Sequence, residues 1–239
     1  MNKPFHFRRF SMEHDASTMK VGTDAVVLGA WVKVPAEGAV LDVGTGSGIL
    51  ALMIAQRTQS CLINAIDIDS ESVKQATSNF MRSRWSSRLK AFCADFSQLE
   101  QTDNDGTFDL VISNPPFFTS VFKTKHIRKN LARHTDTLSH KDLISNSFRI
   151  LKSTGTFAVV IPADQSQQFE KMAFDAGYSC QRKCMVVPVE GRDSNRVMYE
   201  FVKKTIEKPE FETFTIRLLN GSFTPAYSKL LGDFYLGLG

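Results

Sequence analysis

From residue 39 onward, short apolar runs alternate with amphipathic stretches. Runs at 39–43, 62–68, 89–93 and 108–113 are short and aliphatic, and the first two end at acids. Their length and composition predict strands. Between them, 49–57 and 70–82 predict helices, with Ser70 as the N-cap of the second. A helix over 139–151 follows, opened by Ser139 and Asp142 in a capping-box spacing. Residues 155–161 predict a fifth strand, and 163–176 a helix stopped by Gly177 at the left-handed cap position. Strands at 185–189 and 197–203 flank a turn-rich segment at 191–195. Upstream, 25–34 is apolar enough for a buried helix or strand, and Pro35 ends it. Beyond Lys208-Pro209 come a strand at 211–219, an Asn220-Gly221 turn and a short amphipathic end.

Strands separated by helical stretches imply right-handed crossovers and a parallel sheet. The strands at 185–189 and 197–203 have no helix between them, so they pair as a hairpin and bring in one antiparallel strand. The predicted class is α/β, a Rossmann-like, seven-stranded, mostly parallel sheet with one antiparallel strand. One domain is expected, with 1–35 as lead-in, 36–204 as a cofactor-binding core and 205–239 as a C-terminal extension. Length and composition fit: 239 residues, 42% apolar and 23% charged, exclude disorder, collagen and coiled coil. Cys61, Cys93, Cys180 and Cys184 form no Cys-x-x-Cys pair, which argues against a zinc ribbon and for reduced thiols in a cytoplasm. No apolar run approaches the roughly 18 residues of a membrane span. The first ten residues lack the apolar core of a signal peptide.

The first chemical signal is Asp42-Val43-Gly44-Thr45-Gly46-Ser47-Gly48, between a strand and a helix. Glycines there let the chain turn sharply and let a ligand approach the backbone. The third glycine falls one place too early for a dinucleotide fingerprint, and no Gly-Lys pair marks a phosphate-binding loop. The spacing D-x-G-x-G-x-G resembles motif I of S-adenosylmethionine-dependent methyltransferases. That resemblance implies S-adenosylmethionine as cofactor, with Asp42 near its cationic methionine end and Gly44, Thr45, Gly46 and Gly48 along it. Asp67, followed by Ile68, closes the second strand and is placed to accept both ribose hydroxyls; Asp69 competes for that role or supports the next helix. Asp95, with Phe96, follows the third strand, and by resemblance accepts from the adenine amino group.

The fourth strand runs into Asn114-Pro115-Pro116-Phe117. Two prolines stiffen the loop. An exocyclic amine is a poor nucleophile because its lone pair is delocalised. Two acceptors aimed at its hydrogens, the Asn114 side-chain oxygen and the Pro115 carbonyl, favour a localised lone pair. Phe117 offers a face on which a base can stack. The motif resembles the [D/N]-P-P-[Y/F/W] of amino-methyltransferases, which act on adenine N6, guanine N2 or glutamine N5. In that resemblance Asn114 also borders the cofactor.

The flanks narrow the choice. Phe5, Phe7 and Phe10, the run Met19-Lys20-Val21-Gly22-Thr23-Asp24, Leu28 to Trp31, Ala132-Arg133-His134 and the tail around Asn220 and Tyr235 resemble the bacterial methylases of adenine 37 in a valine tRNA. The resemblance spans nearly the whole chain and places Thr23 and Asp24 beside the cofactor. Its implied partner is tRNA, with a valine tRNA favoured, no membrane and no obligatory protein partner. Residues 111–135 contain no acid and hold Lys123, Lys125, Arg128, Lys129 and Arg133. With Phe117 and Phe118 they form either an RNA-binding segment or a solvated charged one. The five histidines, His6, His14, His126, His134 and His140, lack metal-ligand spacing, so no metal is expected. His134 is a weaker candidate for touching substrate. Competing readings are a ribosomal-RNA guanine-N2 methylase, a protein glutamine-N5 methylase and a non-catalytic RNA-binding subunit.

Overall fold

The computed structural model describes residues 4–13, 22–98, 105–116 and 138–237. A short hairpin, β1 (Phe5–His6) and β2 (Ser11–Met12), precedes helix α1 (Thr23–Trp31). Next come β3 (Ala39–Val43), α2 (Ile49–Arg57), β4 (Leu62–Asp67), α3 (Ser70–Arg82), β5 (Leu89–Cys93) and β6 (Phe108–Ser113). The chain continues through α4 (His140–Ile150), β7 (Leu151–Pro162), α5 (Ala163–Asp175), β8 (Ser179–Val189), β9 (Arg196–Val202), β10 (Glu210–Arg217) and α6 (Pro225–Leu231).

The main sheet has the order β10-β8-β9-β7-β6-β3-β4-β5. Strand β9 runs antiparallel to both neighbours, and the other pairings are parallel. The seven expected strands are present with the expected antiparallel member. The tail adds an eighth, because β10 pairs in parallel with β8. Alternation along each strand feeds two cores. Val40, Leu110, Ile112, Ala158 and Val160 face α1, α2, α3 and α6. Leu41, Val43, Val111, Phe157, Val159 and Ile161 face α4 and α5. The ambiguous segment near residue 25 is a helix, and every residue from Ala25 to Trp31 is buried. A helix apolar on all sides belongs inside a core.

Two boundaries differ from expectation. Strand β8 begins at Ser179, six residues before Met185. Its early part is polar, but Arg182 pairs with Glu200, Glu210 and Glu212, and Lys183 pairs with Glu170. Strand β7 begins at Leu151, before Gly155, and its pairing with β6 shifts register between Phe108 and Leu110. A side-chain carbon on Gly155 would lie 2.9 Å from the Phe108 carbonyl, so only glycine passes this irregularity. The lead-in and the tail are joined: Phe7 stacks on Tyr235, and the Arg8 amide donates to the Phe234 carbonyl at 2.8 Å. Among the described residues, no helix is long and apolar enough to cross a membrane.

Candidate active site

Strand β3 is paired on one side with β4 and on the other with β6. The strand order reverses between β3 and β6, and such a switch point opens a crevice at the carboxyl ends of the strands. The candidate residues after β3, β4, β5 and β6 all emerge along that edge. Short hydrogen bonds tie the strand ends together. The Gly44 and Thr45 amides donate to the Ile66 carbonyl at 2.9 and 3.0 Å, the Ala94 amide to the Asp67 carbonyl at 3.0 Å, and the Ser113 hydroxyl to the Val43 carbonyl at 2.8 Å.

The glycine turn uses positive φ at Gly44 (71°), Gly46 (55°) and Gly48 (88°). A side-chain carbon on Gly44 or Gly46 would meet no described atom within 4 Å, so the turn faces open space there. Gly48 is different: that carbon would lie 2.5 Å from Phe80 Cε1 and 3.3 Å from the Ala76 Cβ. Gly48 therefore packs the turn onto α3.

Asp42 is fully buried. Its Oδ2 accepts from the Thr45 hydroxyl at 2.6 Å and from the Ala51 amide at 3.2 Å, and no described donor reaches its buried Oδ1. Burial pushes its carboxyl up to about 7; the Thr45 and Ala51 hydrogen bonds oppose that rise, and nearby Asp67 adds to it. Asp67 accepts from the Gly46 amide at 2.8 Å and from the Asp69 amide at 3.0 Å. Burial raises its carboxyl as well, against the backbone bonds from Asp69 and Gly46. Asp69 is the N-cap of α3, accepting from the Ser72 amide at 3.1 Å; Ser70, expected in that role, is the first helical residue. Aspartate is a strong N-cap, and the same Asp69 oxygen, Oδ2, also accepts from the Ser72 hydroxyl at 2.8 Å. Ile68 is half exposed at the strand end. Asp95 accepts from the Ser97 amide and hydroxyl at 2.8 and 2.7 Å, while the Phe96 side chain is buried in the core beside α4.

Thr23 opens α1, and Asp24 accepts from Arg196 Nε at 2.7 Å. Arg196 begins β9 opposite Pro162, the end of β7, so the start of α1 is fastened to the same sheet edge. Asn114 leaves β6 with its Oδ1 buried and unreached by any described donor. Pro115 is buried and Pro116 exposed. Phe117, Phe118, Lys123, Lys125, Arg128, Lys129, Arg133, His126 and His134 lie outside the described residues, as does His14. His6 hydrogen-bonds Ser11, and His140 packs edge-on against Phe169.

Two residues at this edge escape a reading of local motifs. Arg196 finds its partner 172 positions away. Asn79, on α3, donates to the Ser47 carbonyl of the glycine turn at 2.8 Å. Its place among helix residues three and four apart, with Ala76 and Phe80, was the only available signal. A cavity of about 620 Å³ lies elsewhere, among Trp31, Arg57, Phe214, Lys229 and Asp233; no candidate cofactor residue lines it.

Comparison with known proteins gives one consistent picture. The family described as Methyltransferase small domain matches residues 17–184. A tRNA1(Val) (adenine(37)-N6)-methyltransferase of Bacteroides fragilis strain YCH46 is 38% identical over 239 residues, covering 99% of both chains. The protein of the same name from Trichodesmium erythraeum is 40% identical over 235 residues, covering 97% of both. Among solved structures, a predicted O-methyltransferase from Agrobacterium tumefaciens superposes with a TM-score of 0.68 at 18% identity, over 88% of this chain and 96% of that one. P. horikoshii TYW2 in complex with MeSAdo gives 0.59 at 14% identity, over 84% and 71%.

Proposed function

Because the chain belongs to the methyltransferase small domain family, and shares its full length with tRNA1(Val) (adenine(37)-N6)-methyltransferases, we propose that it methylates N6 of adenine 37 in a valine tRNA. The substrate is then an anticodon-loop base, unpaired and cheap to splay out. A cytoplasmic location follows from a tRNA substrate.

S-adenosylmethionine supplies an electrophilic methyl group on a sulfonium. Among the described residues, the site fits such a ligand on three counts: open space beside Gly44 and Gly46, an Asp42 carboxylate oxygen that no described donor reaches, and Asp67 at the end of β4. In this reading Asp42 faces the ammonium end, and Gly44, Thr45 and Gly46 line the chain of the ligand. Asp67 accepts from ribose, with Ile68 alongside, while Asp95 and Phe96 border the adenine. Gly48 contributes by seating the turn, and Thr23 and Asp24 border the rim.

The buried Asn114 Oδ1, which no described donor reaches, carries the proposal. An acceptor held without a donor costs stability unless a ligand supplies one. The base's exocyclic amine has two hydrogens, one for Asn114 Oδ1 and one for the Pro115 carbonyl. Pro116 stiffens the loop, and Phe117 stacks on the base. Holding the nitrogen in line with the methyl is most of the catalysis, so no strong base is needed. Phe118, Lys123, Lys125, Arg128, Lys129 and Arg133 are assigned to the flanking RNA.

The test uses methyl-labelled S-adenosylmethionine, wild type or Asn114→Ala, and tRNA transcripts that include a valine tRNA, digested to nucleosides. N6-methyladenosine from wild type alone, on that tRNA, is expected. Label in methylguanosine, or in protein instead of RNA, overturns the substrate.

A further inference from the structure

Helix α3 presents Ala76, Asn79 and Phe80 to the glycine turn. These positions are three and four apart and share one helix face. Asn79 is fully buried and its amide is used on both sides. Its Nδ2 donates to the Ser47 carbonyl and to the Glu13 carbonyl, both at 2.8 Å. Its Oδ1 accepts from the Glu13 amide and from Arg82 Nη2, both at 3.0 Å. Two donors and one carbonyl oxygen are thereby committed, which only an Asn or Gln amide can do.

Ser47 lies between Gly46, whose amide is held by Asp67, and Gly48, which sits on Phe80. Glu13 ends the described lead-in, whose Phe7 stacks on the tail residue Tyr235. One side chain therefore pins the glycine turn to the chain's N-terminal strap. We infer that Asn79 is a positioning residue for cofactor binding: it holds the 44–48 turn in its binding shape by locking the Ser47 carbonyl to the backbone of Glu13. This rests on the reading that the turn holds S-adenosylmethionine. It adds a residue remote in sequence from every motif of that reading.

The chemistry separates side chain from backbone. Glu13 engages Asn79 through its main chain; among the described residues its carboxylate reaches Arg82 alone, at 2.8 Å, on the surface. Glu13→Gln keeps both main-chain bonds. Asn79→Asp keeps the acceptor for the Glu13 amide but loses both donors and sets a carboxylate against two carbonyl oxygens. Asn79→Ala loses everything.

Titration calorimetry with S-adenosylhomocysteine on the full chain provides the test, alongside hydrogen exchange at the 44–48 amides of the unliganded protein. With buried hydrogen bonds lost, Asn79→Ala and Asn79→Asp should weaken binding about 10- to 100-fold and speed exchange at the turn. Glu13→Gln should bind as wild type. Phe157→Leu, in the core on the opposite sheet face, controls for stability loss alone; it should lower the melting temperature and leave affinity unchanged. Wild-type affinity in Asn79→Asp, or an equal loss in Phe157→Leu, overturns the inference. No binding by the wild type overturns the cofactor reading instead. If Asn79→Ala does not fold, Asn79→Asp against Glu13→Gln still decides.

Discussion

The turn after β3 and the loop after β6 lie at the ends of neighbouring strands, and they handle polar atoms in opposite ways. Around the turn, polar groups answer one another: Thr45 and Ala51 on Asp42, Gly46 and Asp69 on Asp67, and the Ile66 carbonyl on Gly44 and Thr45. Asp42 still has a spare oxygen, but its other oxygen fixes the carboxylate in place. At Asn114 the single side-chain oxygen is itself the spare one. One region has its shape set by its own chain. The other buries an acceptor that no described donor reaches, at a cost of about 1–3 kcal/mol unless a ligand supplies one. In the proposed function, binding and reaction then fall to different strand ends.

Removing Asn114 should break that division most visibly. Asn114→Ala deletes an acceptor that pays off only when the amine is present. Turnover should fall about 10²- to 10³-fold, the scale of losing one preorganised catalytic hydrogen-bonding group. Affinity for S-adenosylhomocysteine should stay within a few-fold, because Ser113, not Asn114, ties β6 to β3. Asn114→Asp preserves the acceptor and should retain measurable activity. Single-turnover rates and calorimetry on the same preparations check both halves. Equal losses of rate and affinity would mean that the two regions are one.

A second, smaller effect sharpens the contrast through pH. The turn titrates and the loop does not. Burial lifts the Asp42 carboxyl to about 7 in the folded protein, above its unfolded value of about 4. An acid raised on folding stabilises the fold fully below the unfolded value, and that contribution is lost as pH rises through about 7. A ligand ammonium beside Asp42 prefers the carboxylate, so binding should release a proton below pH 7. Affinity for S-adenosylhomocysteine should climb from pH 6 towards 7.5 and then flatten, by no more than about tenfold per unit. Calorimetry in two buffers of different ionisation heat counts the proton. Asp42→Asn should abolish the release, and a profile unchanged by that substitution would locate the titration elsewhere.

What the sequence exposes follows the same division between local and distant partners. The glycine turn, the acids at strand ends and the Asn-Pro-Pro loop are legible because their chemistry is local: positive φ at Gly44 and Gly46, and prolines directly after Asn114. The Ser139 cap was legible for the same reason, since it accepts from Asp142 three residues on. The polar start of β8 was not, because Arg182 is tolerable in a strand only with Glu200, Glu210 and Glu212, on two other strands, around it. The tail strand itself was legible at 211–219, but its place beside β8 was not, because the Glu210 and Glu212 partners of Arg182 come together only in the fold. Asn79 and Arg196 are ordinary helix and strand-end residues until the fold brings Ser47 and Asp24 to them.

The smallest effect concerns two acids that spacing alone left in competition. Asp67 meets the turn itself, through Gly46, whereas Asp69 spends its carboxylate on Ser72 in the first turn of α3. Asp69→Ala should therefore behave as a lost helix cap, costing about 1 kcal/mol. In a chain of this length that is a melting shift of about 2–4 °C. Affinity for S-adenosylhomocysteine should hold within twofold, because the Asp69 amide that supports Asp67 belongs to the main chain and survives the substitution. Asp69→Asn keeps an acceptor for Ser72 and should recover most of the stability. Asp67→Asn, by contrast, should leave the melting temperature less affected than affinity, since an amide cannot accept two hydroxyl hydrogens and the Gly46 and Asp69 amides on two equivalent oxygens. If Asp69→Asn lost affinity while keeping its stability, the two acids would have to exchange roles. The ligand would then reach past the strand end to the helix cap.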